Sequence, residues 1–306
     1  MSEPLRLRAP AKVNWTLEVL ARRSDGYHEL RTILQTIALS DWVTLTPADE
    51  LSLEFIGEPS SLAGEAPEVN LAYRAADLLR HAVKRPPRGP ASRAPGVRIE
   101  LEKRIPVAAG LGGGSSDAAA VLRGLRQLWR LKASDHDLAS LAAEVGADVP
   151  FFLRGGAALG SGRGEELSFL PDAAPRRLVF AWLEPSRPLE KTALAYSQVR
   201  PPHYSDGSRT NRLAERLRSG HPIGEGDLWN VFEQVLPQVH VESSRAFEQA
   251  ARLGVPHLAG SGPAFYFLLD GDQPAQPLLD GLAALGLRTM ETTTLPAAEA
   301  VTVETV

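Results

Sequence analysis

The run Pro106-Val107-Ala108-Ala109-Gly110-Leu111-Gly112-Gly113-Gly114-Ser115-Ser116-Asp117 holds four glycines in five positions, then opens into an alanine-rich helical pattern. Glycine admits φ > 0 at little cost and lets backbone approach a ligand with no Cβ in the way. A helix starting behind such a loop aims free N–H groups and its positive dipole end into it. Together these make an anion cradle suited to phosphate. A Walker A loop would need a lysine after the glycines, and none follows. The dinucleotide G-x-G-x-x-G is almost met by Gly110 and Gly112, but position 115 is serine. Lys103, Arg104 and Pro106 also separate the loop from the alternating strand pattern Val97-Arg98-Ile99-Glu100-Leu101, so the tight strand-to-glycine turn is missing.

Three other places could supply chemistry. In Ala11-Lys12-Val13-Asn14 a lysine and an amide share one face of an otherwise apolar strand. That face could be solvated, or it could aim an ammonium at a phosphate or a reacting oxygen. In Gly146-Ala147-Asp148-Val149-Pro150 the carboxylate follows a helix end, and the proline holds Val149 extended. Asp148 there is either an Asx-type turn residue or a general base for an alcohol. In Ser24-Asp25-Gly26-Tyr27-His28 a turn precedes an aromatic and an imidazole, which suit a flat ring by stacking and edge hydrogen bonding. Glycine loop, lysine and aspartate together sketch phosphoryl transfer from ATP, with Mg²⁺ carried on the phosphates. Ser115, Ser116 and Asp117 are within reach as further Mg²⁺ ligands, and Glu165 is too distant in sequence to judge.

The elements that must position these groups follow from composition and periodicity. The chain has 306 residues, more than one compact core usually holds, which points to two domains. A formal net charge of −4 carries no electrostatic footprint for nucleic acid or an anionic membrane. Zero cysteines exclude disulfides and thiol catalysis. With no apolar leader and no apolar run of about 18 residues, a cytoplasmic enzyme is expected. Only five of the 33 basic residues are lysine, which tilts the odds toward Lys12 being needed as a compact ammonium. No histidine pair has zinc-ligand spacing.

Leu5 to Leu20 alternates as a strand, and Ile33–Leu39 with Val43–Leu45 would complete an antiparallel meander. Asn70 caps a helix of about three turns. Ser134 with Asp137 reads as a capping box for another, ended by Gly146. Residues 85–96 read as an exposed loop. A strand over Leu178–Leu183 opens a second domain. Helical patterns cover Asn211–Leu217 and Val241–Leu253, and Gly260-Ser261-Gly262-Pro263 runs into a last strand. Elements alternate without a regular parallel period, which favours α+β.

The order Pro10-Ala11-Lys12-Val13-Asn14, then Pro106 to Ala118, then Leu258-Ala259-Gly260-Ser261-Gly262-Pro263 resembles the three ordered motifs of the GHMP kinase superfamily. Leu20 to Leu30 and Gly146 to Pro150 are similar to the branch that phosphorylates a cytidine-diphosphate-linked methylerythritol in the non-mevalonate isoprenoid route. The resemblance implies a two-domain α+β fold with the active site in the cleft, divided here as 1–165 and 166–306, with the last strand free to return to the first domain. It also implies a left-handed β-α-β crossover.

By that resemblance Pro106 to Ser116 would wrap the ATP phosphates, and Asn70 would lie near adenine. Asp148 would be the base on the tertiary 2-hydroxyl, and Lys12 would polarise that hydroxyl. Asn14 would position the substrate, Tyr27 would stack on cytosine, and His28 would bond its edge. Thr192 and Tyr196 would line the cytidine pocket. The small-molecule substrate and ATP are the expected partners of a monomer or weak dimer, with neither nucleic acid nor membrane. Leu189-Glu190-Lys191 and Gly226-Asp227-Leu228 depart from the branch's usual pattern. A kinase for mevalonate or homoserine, a non-catalytic nucleotide module and a nicotinamide oxidoreductase are the rivals. Tyr27-His28 argues against the first, the Lys12 and Asp148 pair against the second, and Ser115 against the third.

Overall fold

The computed structural model describes residues 3–57, 66–82, 96–183 and 192–305. The first half holds β1 (Leu5–Arg22), β2 (His28–Ala48), β3 (Leu51–Ile56), α1 (Leu71–Ala82), β4 (Gly96–Glu102), α2 (Gly113–Leu128), α3 (Asp135–Val145), α4 (Val149–Phe152), β5 (Ala157–Ser161) and β6 (Glu166–Leu170). The second holds β7 (Arg177–Trp182), α5 (Thr192–Gln198), α6 (Ser208–Arg218), β8 (Trp229–Asn230), α7 (Leu236–Val239) and α8 (Val241–Ala250). It closes with β9 (His257–Leu258), β10 (Phe265–Leu269), α9 (Gln276–Ala284), β11 (Arg288–Thr293), α10 (Ala297–Ala300) and β12 (Val303–Thr305).

Two sheets organise these elements. Among the described residues the larger has eight strands, ordered β12-β1-β2-β4-β3, with β5 and β6 continuing from β2 and β8 pairing with β1. The smaller is antiparallel, ordered β11-β7-β10-β9. The expected meander is one hairpin: Ile33–Leu39 and Val43–Leu45 are parts of the single 21-residue β2. No break falls at Asp41, because its carboxylate turns inward and accepts the Arg104 and Ile105 N–H groups at 2.5 and 2.8 Å. β3 and β4 are parallel with α1 between them, a β-α-β unit. The expected division at 165 falls inside the β5–β6 hairpin, and β8 and β12 pair with β1 of the larger sheet.

β1 explains why the two halves meet where they do. Leu5, Leu7 and Ala9 pack in a core with α1 and α2. Ala11, Val13 and Trp15 pack instead with Phe180 and Tyr266 of the smaller sheet. Leu17 and Val19 join a third core with Phe232, Leu236 and Phe265. One strand therefore crosses three apolar cores, and Lys12 stands at the crossing. β7 and β10 alternate accordingly: Phe180 and Tyr266 face the larger sheet, while Val179 and Phe265 face the outer helices. The helix ends match the sequence signals closely. Asn70 Oδ1 accepts the Ala72 N–H at 2.8 Å, and the Ser134–Asp137 capping box is complete.

Candidate active site

Lys12 is buried, yet its ammonium is not buried in hydrocarbon. The β1–β2 register shifts between Pro10 and Lys12 and again between Asn14 and Thr16, irregularities that re-aim side chains locally. Lys12 Nζ donates to Asn14 Oδ1 at 2.9 Å, and Asn14 Nδ2 donates to Thr32 Oγ1 at 2.7 Å. Thr32 in turn donates to the Thr16 carbonyl at 2.6 Å. This relay fixes the ammonium with hydrogen bonds left to give. Burial pushes its pKa below the usual lysine value, and the Asp148 carboxylate works against that shift. Lys12, Asn14, Thr32, Gly110, Gly112, Asp148, Arg163, Gly164, Thr192, Tyr196, Gly260 and Ser261 surround much of a chamber of about 240 Å³.

The glycine loop forms one wall of that chamber. Lys12 N–H donates to the Leu111 carbonyl at 3.0 Å, tying the loop to β1. Gly110 and Gly112 have φ of 81° and 74°. A Cβ on Gly110 would overlap the Ala259 carbonyl oxygen, and one on Gly260 would lie 2.8 Å from the Gly110 carbonyl oxygen. Two glycine motifs 150 residues apart thus touch backbone to backbone, with Lys12 Nζ beside them. Asn230 secures the second motif: its buried Nδ2 donates to the Leu258 and Gly260 carbonyls at 3.0 and 2.7 Å.

Gly113 and Gly114 lie in the first turn of α2, where the leading N–H groups have no partner within the helix. Gly114 is open, its nearest neighbour being Leu71 beside the Asn70 cap. The loop fits a polyphosphate through its main chain. The side chains of Ala109 and Leu111 point into the core, Ser116 is buried with its hydroxyl unpartnered, and Ala108 takes φ of 55°. Asn70, Pro106, Val107 and Ser116 line neither of the two chambers described here.

Asp148 corrects one expectation. Val149 is the first residue of α4 with Pro150 in its first turn, so the segment is helical, since a helix start tolerates a proline that has no N–H to give. The Asp148 side chain makes no capping bond, and the Asx-type turn is absent. Its carboxylate lines both the 240 Å³ chamber and a larger one of about 840 Å³.

The larger chamber is lined by Tyr27, His28, Ser115, Ala147, Arg163, Thr192, Tyr196 and Arg200, among others. The turn before Tyr27 is built by Asp25, whose Oδ1 accepts the Tyr27 N–H at 3.1 Å, and by Gly26 at φ 88°. The Tyr27 ring is 56% exposed, with the Arg163 guanidinium 4.9 Å from its centroid. The His28 ring lies 5.4 Å from that of Tyr196, with the planes 31° apart, and Tyr196 packs edge-on against Phe232. Burial, then the Arg22 charge, holds the His28 pKa below the usual histidine value. Burial, then the Asp148 charge, raises that of the Tyr196 phenol. Thr192 Oγ1 meets Ser261 Oγ at 3.4 Å.

Behind the loop, Lys103 is paired with both Asp41 and Asp117, the latter at 2.5 Å. Burial, with Asp41 nearby, raises Asp117 to about 7 although Lys103 opposes the shift. Asp117 therefore anchors the loop's root. Glu165 grips Arg163, accepting from its Nε at 2.9 Å. No group of three or more His, Cys, Asp or Glu side chains among the described residues could hold a metal ion. Residues 226–228 contribute a turn in which the Asp227 carboxylate accepts the Gly224 N–H at 3.0 Å, while the positioning amide is Asn230. Leu189-Glu190-Lys191 lies outside the described residues. Thr32, Asn230 and Arg163 are the additions of the structure. Only Arg163 carried a signal, being an arginine between two glycines.

The pattern of the GHMP kinases N terminal domain matches residues 70–156. A Bacillus mycoides protein named 4-diphosphocytidyl-2-C-methyl-D-erythritol kinase is 37% identical over 285 residues, covering 91% of this chain and 92% of its own. One from Mycolicibacterium gilvum with the same name is 39% identical, covering 92% and 87%. A solved 4-(cytidine 5'-diphospho)-2C-methyl-D-erythritol kinase superposes with a TM-score of 0.74 at 36% identity, covering 94% of this chain and 98% of that one. A homoserine kinase from Cytophaga hutchinsonii superposes at 0.73 but is only 19% identical, which shows the shared fold. With more than a third of its residues identical across nine-tenths of its length, this chain belongs to the 4-diphosphocytidyl-2-C-methyl-D-erythritol kinase family of the GHMP kinases.

Proposed function

We infer that this chain transfers the γ-phosphoryl group of ATP to the 2-hydroxyl of 4-diphosphocytidyl-2-C-methyl-D-erythritol, a step in non-mevalonate isoprenoid precursor synthesis. The observation that carries this reading is the convergence of Lys12 and Asp148 on one chamber beside the glycine loop, continuous with an aromatic one holding Tyr27, His28 and Tyr196. Asp148 takes the hydroxyl proton as the oxygen attacks the γ-phosphorus and the bond to the β-phosphate oxygen breaks, releasing ADP. Lys12, steadied by Asn14, neutralises charge on the transferring group. The main chain of Pro106 to Ser116 holds the phosphates, with adenine toward Asn70. Tyr27 stacks on cytosine, His28 bonds its edge, and Thr192 and Tyr196 close the pocket.

Mg²⁺ would be carried on the nucleotide and neutralise phosphate charge, with the Ser115 hydroxyl, which lines the larger chamber, as a protein oxygen that could assist. The enzyme acts in the cytoplasm as a monomer or weak dimer on small molecules alone. A division of its two domains near residue 165 would leave β6, β8 and the returning last strand β12 paired with the first domain's sheet. A coupled ADP-release assay should show turnover of the cytidylated alcohol and none of mevalonate or homoserine. Turnover of either rival with no inhibition by cytidine nucleotides would refute the reading.

A further inference from the structure

Among the described residues the 840 Å³ chamber is lined by three guanidiniums, Arg22, Arg163 and Arg200, against one carboxylate, Asp148. An excess of cationic side chains in a concave site selects an anionic ligand. Of the three, Arg163 alone also lines the 240 Å³ chamber with Lys12. It therefore stands at the junction of the two.

Its placement is over-determined. Arg163 sits in the turn between β5 and β6, flanked by Gly162 and Gly164 at φ of 67° and 105°. The turn is pinned to the start of β2: Leu30 N–H donates to the Gly162 carbonyl at 2.7 Å, and Gly162 N–H donates to Glu29 Oε1 at 3.2 Å. Glu165 then accepts the Arg163 main-chain N–H at 2.6 Å and its Nε–H at 2.9 Å. The side chain keeps 38% of its surface exposed and lines both chambers. Glu165 holds the Nε edge and the Tyr27 side chain also engages the guanidinium, and a fork of this kind can still offer N–H groups to phosphate oxygens.

On the function inferred above, the substrate must reach from one chamber into the other. If cytosine lies beside Tyr27 and the reacting hydroxyl lies between Lys12 and Asp148, the link between them must cross the junction. That link is the ribose, the diphosphate and the erythritol chain, with the diphosphate between the other two. We propose that Arg163 binds the diphosphate bridge of the substrate and makes the site select nucleoside diphosphates over nucleosides.

Calorimetric titration of the full chain with cytidine and with cytidine diphosphate tests this, comparing wild type, Arg163→Gln and Arg163→Lys. A charge-assisted hydrogen bond is worth roughly 10- to 100-fold in affinity, so Arg163→Gln should weaken cytidine diphosphate by about that factor. Cytidine should change by no more than about twofold, because it has no charge for the guanidinium to meet. Arg163→Lys should recover part of the loss, keeping charge without the fork, and the KM for ATP should stay constant. Equal weakening of cytidine and its diphosphate would overturn the proposal and leave Arg163 as a brace for Tyr27. Unchanged binding of both would overturn it too. Wild-type protein that binds neither would refute the function itself, a separate outcome from either of these.

Discussion

The chamber around Lys12 takes part of its wall from glycine backbone, at Gly110, Gly112, Gly164 and Gly260, whereas the one around Tyr27 has a single glycine, Gly26, and is otherwise walled by larger residues. In the first, Gly110 and Gly260 touch main chain to main chain, Asn230 bonds two carbonyls of the same strap, and Lys12 hangs on an amide relay. In the second, a half-exposed tyrosine, an arginine, a histidine and a second tyrosine meet around a wider space. The first arrangement tolerates almost no change, because a Cβ added there has nowhere to go. The second can trade side chains with the backbone left in place. On the function inferred above, phosphoryl transfer would fall to the rigid wall and substrate choice to the adaptable one.

The sharpest way to break this contrast is at the reacting atoms. Lys12→Ala and Asp148→Asn should each lower kcat by about 10²- to 10⁴-fold, measured by steady-state ADP release with the fold checked by circular dichroism. A near-wild-type rate would remove that residue from the chemistry. Next come the glycines. Gly110→Ala should lower stability by roughly 1–3 kcal/mol and reduce kcat/KM, because its backbone must shift away from Ala259. Gly114→Ala, at an open helical position, should keep its Tm and raise only the KM for ATP. Equal Tm losses in thermal melts of the two variants would show that the wall is not built as described.

A smaller effect is expected at the adaptable wall. Base stacking contributes about 1–3 kcal/mol, so Tyr27→Ala should raise the KM for the cytidylated alcohol about tenfold, with kcat and the KM for ATP little changed. A kcat loss matching that of Lys12→Ala would erase the distinction between chambers. The smallest effect lies under the rigid wall. His257 on β9 precedes the Ala259–Gly260 strap and pairs with Glu225, with Glu233 also close. Burial opposes its protonation, but the two glutamates hold its pKa up to about 9. The folded value exceeds the unfolded one near 6.5, so this stability is full below about 6.5 and lost as pH rises through about 9. Wild-type Tm should therefore fall more between pH 6.5 and 9.5 than that of Glu225→Gln, and parallel curves would discount the pair.

The legible parts of the site were those whose signal is local. Gly110 to Gly114 mark a left-handed loop that opens a helix, and Ser134 with Asp137 mark a second helix start, because both rest on the conformations of neighbouring residues. Lys12 with Asn14 followed from strand alternation. Val149 was misjudged as extended for an equally local reason: the restriction before proline is a tendency, and the helical turn of α4 overrode it. β2 reads as two apolar stretches because polar Ser40-Asp41 interrupts the apolar run, and the inward partners of Asp41 lie more than 60 residues along the chain.

The sequence by itself determined several of the elements, the glycine loop at the start of α2 and the family, since these depend on residue type and short spacing. Tertiary structure alone decided that Gly110 meets Gly260, that Asn230 clasps the strap, and that Arg163 stands between two chambers. Each of these joins residues far apart in the chain, and contacts of that kind are set by the packing of the two sheets around β1, which no local pattern encodes.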